Sequence, residues 1–166
     1  MILGLSTSAF TVVHVVLSLI GIFSGVVALF GMLGGKRLDG WIGLFLATTV
    51  LTSLTGFLFP GDRLLPSHIV GILSLVALAL AILALYVYHL AGSWRWIYVT
   101  SALVALYLNV FVGVVQAFQK LPFLRPLAPT QSEPPFLVTQ LVVIAIFVVV
   151  GFVAVRSFHP EAKAAV

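Results

Sequence analysis

No charged side chain occurs in the first 35 residues, and four further stretches of this chain are apolar over the length of a membrane span. Runs of about 18 or more apolar residues without charge point to helices that cross a bilayer. In lipid only a helix or a closed barrel satisfies its own backbone N–H and C=O groups. Composition agrees: 62% of the 166 residues are hydrophobic and 7% are charged, against roughly 25% charged in a soluble domain. The expected fold is an all-α membrane protein, a bundle of about five transmembrane helices forming a single integral-membrane domain over residues 1–166.

The spans are expected at about residues 8–34, 41–59, 67–90, 94–118 and 136–155. Gly34, Gly35 and the polar joint Lys36 to Gly40 close the first, and Pro60, Gly61, Asp62 and Arg63 close the second. Ser67 and Ser93 occupy plausible N-cap positions for the third and fourth. Residues 119–135 contain Pro122, Pro126, Pro129, Pro134 and Pro135, a composition that predicts an extended, non-helical loop. Because no Lys or Arg precedes Lys36, the first apolar run reads as a retained span and not as a cleaved leader.

The net charge of +4 is dispersed over the joints, so it carries topology and not a nucleic-acid surface. With the N-terminus outside, Lys36, Arg37, Arg95, Arg156 and Lys163 lie in the cytoplasm, and Arg63, Lys120 and Arg125 lie outside. That bias predicts an outside N-terminus and a cytoplasmic C-terminus. Trp41, Tyr86, Tyr88, Trp94, Trp96 and Tyr98 then form an interfacial aromatic belt on the cytoplasmic side.

Thr7, Thr11, His14, Ser18, Gly21, Gly25 and Ala28 recur at spacings of four and three, which places them on one helix face. Small and polar residues at that spacing mark a helix–helix seam. The fourth span repeats the pattern with Ala102, Ala105, Asn109 and Gln116. Thr48, Thr49, Thr52, Ser53 and Thr55 gather toward the outer end of the second span, Thr139 and Gln140 lie near that of the fifth, and His68 opens the third. The polar groups thus concentrate in the outer half. His14 is the only ionisable residue deep within a span, roughly 8–10 Å below the outer end. An ionisable group there marks a site by default, although interhelical hydrogen bonding alone also accounts for such a polar half.

Two cofactor readings follow. A b-type haem would take His14 and His68 as axial ligands, with Ser18, Gly21 and Gly71 giving the ring room. A quinone or small-lipid pocket would use His14 or Asn109 as donor to a carbonyl, with Gln116 nearby. A metal held by both histidines with Asp62 or Glu133 is the weaker reading. His89 suits the C-terminal end of the third span, and His159 a solvated tail. The absence of cysteine excludes thiolate metal sites and covalently attached haem. Neither a hydrolase nucleophile motif nor a phosphate-binding loop occurs.

Phe45 to Thr49, Pro66 to Gly71, Trp94 to Tyr98 and the loop from Ala128 to Phe136 resemble a group of small, uncharacterised bacterial polytopic inner-membrane proteins. The resemblance covers most of the chain. It implies a bacterial inner-membrane location and transfers no functional residues. The expectation is a non-catalytic membrane component with a haem b or quinone-type electron-transfer pocket in its outer half. The alternatives are a structural or assembly subunit of a larger membrane complex and a small-solute or proton carrier. The bilayer and other complex subunits are the expected partners, with no nucleic acid.

Overall fold

The computed structural model describes residues 1–61 and 66–160. Five helices follow one another: α1 (Thr7–Leu33), α2 (Asp39–Gly56), α3 (Pro66–Ile82), α4 (Trp94–Lys120) and α5 (Pro134–Ser157). Four of them are long and apolar enough to cross a membrane: α1, α3 with its π-helical extension, α4 and α5. The fifth, α2, has 18 residues and opens on Asp39, Gly40 and Trp41. Its four threonines and one serine lower its hydropathy further.

Local chemistry explains the helix ends. The Ser6 hydroxyl accepts the Ala9 amide at 3.2 Å and starts α1. Gly35 takes a left-handed φ of +68° as the chain turns toward α2. Asp39 pairs with Arg37 in the first turn of α2, where a carboxylate also meets the positive end of the helix dipole. The N-cap expected at Ser67 is not one: α3 already begins at Pro66, whose fixed φ suits a first helical position. Ser93 does precede α4, but its hydroxyl makes no capping bond.

Beyond Ile82 the helix widens into a π-helical turn, Leu83–Val87. His89 and Leu90 follow with φ of 47° and 60°, ending the helix in left-handed geometry. Tyr88 is thereby laid flat on Trp94, with centroids 3.9 Å apart. The loop after α4 is not wholly extended as expected, since Arg125–Leu127 forms a 3-10 turn. It folds back on the helix ends, where Phe118, Ala128 and Phe136 make a small apolar cluster.

The pairings Gly21 with Thr49 and Gly25 with Phe45 run in opposite order along α1 and α2, which are therefore antiparallel, while Ser53 with Ser74 and Phe118 with Phe136 join the adjoining ends of α2 to α3 and of α4 to α5. The main core joins Ala28 and Met32 of α1, Ile42 and Phe45 of α2, Leu78 and Leu85 of α3 and its extension, and Tyr98 and Leu106 of α4. All of it lies toward the end that carries Lys36 and Arg95. Tyr98 is 0% exposed, packed on Phe158, so it belongs to this core and not to the aromatic belt. Trp41, Tyr86, Tyr88 and Trp96 are exposed at that end. Asp62, Arg63 and Lys163 lie outside the described residues.

Candidate functional site

At the opposite end the apolar core gives way to a cavity of about 100 Å³ with mostly apolar walls and several polar groups set into them. It is lined by His14 and Ser18 of α1, Thr49, Thr52 and Ser53 of α2, His68, Gly71 and Ser74 of α3, and Asn109 of α4. Antiparallel packing makes this convergence. The first halves of α1 and α3 and the second halves of α2 and α4 share one end of the bundle.

Gly21 is where polar side chains of α2 and α4 press against the α1 backbone. A β-carbon there would stand 3.0 Å from both Thr49 Oγ1 and Asn109 Nδ2, so both polar atoms converge over its bare backbone. Ser18 Oγ donates to Asn109 Oδ1 at 2.7 Å, and Asn109 Nδ2 returns a long bond of 3.4 Å to the Ser18 carbonyl. One amide hydrogen of Asn109 is left over. Thr49 is 1% exposed, and its hydroxyl has no hydrogen-bond partner. Its neighbours Thr48 and Thr52 return theirs to carbonyls one turn back. An orphaned buried hydroxyl costs about 1–3 kcal/mol, so Thr49 marks the place where a ligand or water acceptor would be held.

His14 Nδ1 lies 2.8 Å from Thr55 Oγ1. The single Thr55 hydroxyl proton is directed at the Leu51 carbonyl, also at 2.8 Å. With that proton on the carbonyl, Nδ1 donates and Nε2 is a lone-pair acceptor; in the other tautomer the Thr55 hydroxyl donates to Nδ1 and Nε2 carries the ring proton. Thr49 and Asn109 offer donors at the cavity beside the His14 ring.

His14 and His68 do line one cavity, as a two-imidazole site requires. The surroundings do not fit a haem between them. The Phe57 ring lies flat on His68 with centroids 5.5 Å apart, and a β-carbon at Gly71 would meet the same ring at 3.0 Å. Phe59 abuts His14 edge to face at 5.2 Å. The room that Gly71, Gly21 and Ser18 would lend a porphyrin is thus taken by Phe57, by Thr49 with Asn109, and by the Ser18–Asn109 bond.

Gln116 is exposed and stands apart from the cavity lining. Its seven-residue offset from Asn109 falls on nearly the same helix face, but α4 projects there beyond the cavity. Glu133 is engaged in its own loop. Among the described residues no three His, Asp or Glu side chains are grouped to hold a metal ion. His89 ends the α3 extension, and His159 is exposed past α5.

Thr49, Ser74, Phe57 and Phe59 were absent from the site expected on sequence. Ser74 was findable, because Ser67, Gly71 and Ser74 repeat the four-and-three spacing of α1. The two phenylalanines were not, since α2 ends at Gly56 and both rings lie beyond its last turn. No protein family, curated protein or solved structure matches the chain.

Proposed function

We propose that this protein is a five-span component of a bacterial inner membrane, N-terminus outside and C-terminus cytoplasmic, that binds the carbonyl head of a small quinone-type lipid. The observation that carries the reading is the unpartnered Thr49 hydroxyl beside the spare Asn109 amide hydrogen, buried together over Gly21. Two donors lining the same cavity suit a carbonyl oxygen. At the cavity wall, the Nε2 acceptor of His14 suits a hydroxyl, so the chain offers partners to both the carbonyl and the reduced, hydroxyl form of such a head group. When bound, a quinone supplies two-electron, two-proton redox chemistry. The residues of this chain orient it and hold or accept a proton at His14 Nε2. Catalysis is not assigned to the chain alone.

The test is binding of a short-tailed benzoquinone to the protein in nanodiscs, followed by calorimetry. Thr49→Val keeps the shape and removes the donor, and a neutral hydrogen bond contributes about 0.5–1.5 kcal/mol. Affinity is expected to fall several-fold in Thr49→Val, and quinone co-purification to be lost in His14→Leu. Unchanged binding in both variants would overturn the reading. The same geometry predicts a preparation without a Soret band; a bis-imidazole haem spectrum would favour the haem alternative instead.

A structural or assembly subunit is the second reading, supported by α5, of whose most apolar 18 residues only 6% are buried. Stoichiometric recovery of other membrane subunits in mild detergent would favour it.

A further inference from the structure

From mid-span toward the end opposite the cavity, α4 and α5 leave a groove of about 510 Å³ on the outside of the bundle. Its walls are apolar, with Leu103, Val104 and Tyr107 on α4 facing Ile144, Phe147 and Gly151 on α5. Gly151 makes the notch, since a β-carbon there would touch only Leu103 Cδ1, at 3.4 Å. From Ile144 to Val155 the groove follows α5 for about 16 Å at ~1.5 Å per residue. That is the depth of one leaflet, half of a hydrocarbon core of roughly 30 Å. An acyl chain anchored at one interface needs only this much.

The charge at the mouth completes the fit. Phe152, also part of the groove wall, carries the Arg156 guanidinium 4.1 Å from its ring centroid. A cation–π contact uses the face of the guanidinium and not its five N–H donors. Arg95, at the same end, is engaged with the Val155 and Phe158 carbonyls, so Arg156 is the cation placed to meet an anion at this mouth. The geometry points to a binding site for one anionic phospholipid of the adjacent leaflet, with an acyl chain in the α4–α5 groove and its phosphate on Arg156.

The full chain in nanodiscs containing equal phosphatidylglycerol and phosphatidylcholine is delipidated stepwise, and retained lipid is counted by native mass spectrometry. The wild type is expected to keep phosphatidylglycerol preferentially. Arg156→Gln should reduce that preference about fivefold, the factor one basic residue contributes at an anionic surface, and Arg156→Lys should preserve it. Gly151→Leu fills the notch from the lipid side and should lower retention of both lipids. Equal retention of the two lipids by the wild type overturns the site. So does a preference unchanged by Arg156→Gln, or lipid retention unchanged by Gly151→Leu.

Discussion

At Gly25 a β-carbon would come within 2.6 Å of Leu106 Cδ1 and 2.8 Å of Phe45 Cδ2, so α1 lies against α2 and α4 almost backbone to side chain. One turn earlier, Gly21 brings α1 against Thr49 and Asn109, each 3.0 Å from where a β-carbon would stand, and there the neighbours are polar. The spacing of these two glycines was legible in the sequence, whereas the polarity of what faces them depends on the register of two other helices. At the far end of α4, Glu133 behaves as a loop organiser. Desolvation pushes its pKa up, but hydrogen bonds from the Thr130 hydroxyl and from the backbone amides of Thr130 and Ser132 together outweigh that and hold it below the ordinary glutamate value. A carboxyl with a lower pKa folded than unfolded stabilises the ordered loop above its unfolded pKa. That contribution disappears as pH falls through the lowered folded value. Hydrogen exchange at the Thr130 and Ser132 amides should therefore quicken in Glu133→Gln relative to the wild type at neutral pH. The two proteins should converge in acid, after correction for intrinsic exchange. Identical protection at neutral pH would show that the carboxylate does not order the loop.

Among the helices, α5 is the element whose placement rests on the fewest buried groups. Only Phe136 and Ala154 of its residues are buried. Arg95 secures its C-terminal end, donating from Nη1 to the Val155 carbonyl at 2.6 Å and to the Phe158 carbonyl at 2.8 Å. These carbonyls lie at the negative end of the helix dipole, where a cation is favoured. Hydrogen bonds involving a charged group contribute about 1.5–3 kcal/mol. Arg95→Leu is expected to lower stability by about that amount in reversible SDS titration, and to quicken exchange at the Phe158 amide, which is bonded to the Ala154 carbonyl. Arg95→Lys should recover part of both. A variant as stable as the wild type would mean that apolar packing of Phe158 on Tyr98 suffices. In the sequence Arg95 is one of the topology charges, and nothing in its neighbourhood marks a cap for a helix sixty residues away.

For the whole molecule, the decisive question of topology is whether α2 crosses the membrane. Its 18 residues give about 27 Å of helix, slightly short of a hydrocarbon core of roughly 30 Å, and its threonines are tolerated because they bond back to their own helix or face the cavity. The chain has no cysteine, so each introduced cysteine is unique. An impermeant maleimide should label Gly61→Cys and Ser132→Cys in intact cells. Gly40→Cys and His159→Cys should react only after permeabilisation. Labelling of positions 40 and 61 from the same side would remove α2 from the spans and with it the five-span topology. The apolar run lengths, the turn residues between them and the four-and-three spacing on α1 were determined by the sequence alone. Each is a local property, set by backbone hydrogen bonding and helix periodicity. Four outcomes belong to tertiary structure. Tyr98 enters the core, Phe57 and Phe59 close against the two histidines, Gln116 falls outside the cavity, and Thr49 is left without a partner. Each depends on how far one helix slides and turns against another, and a single sequence carries no measure of that displacement.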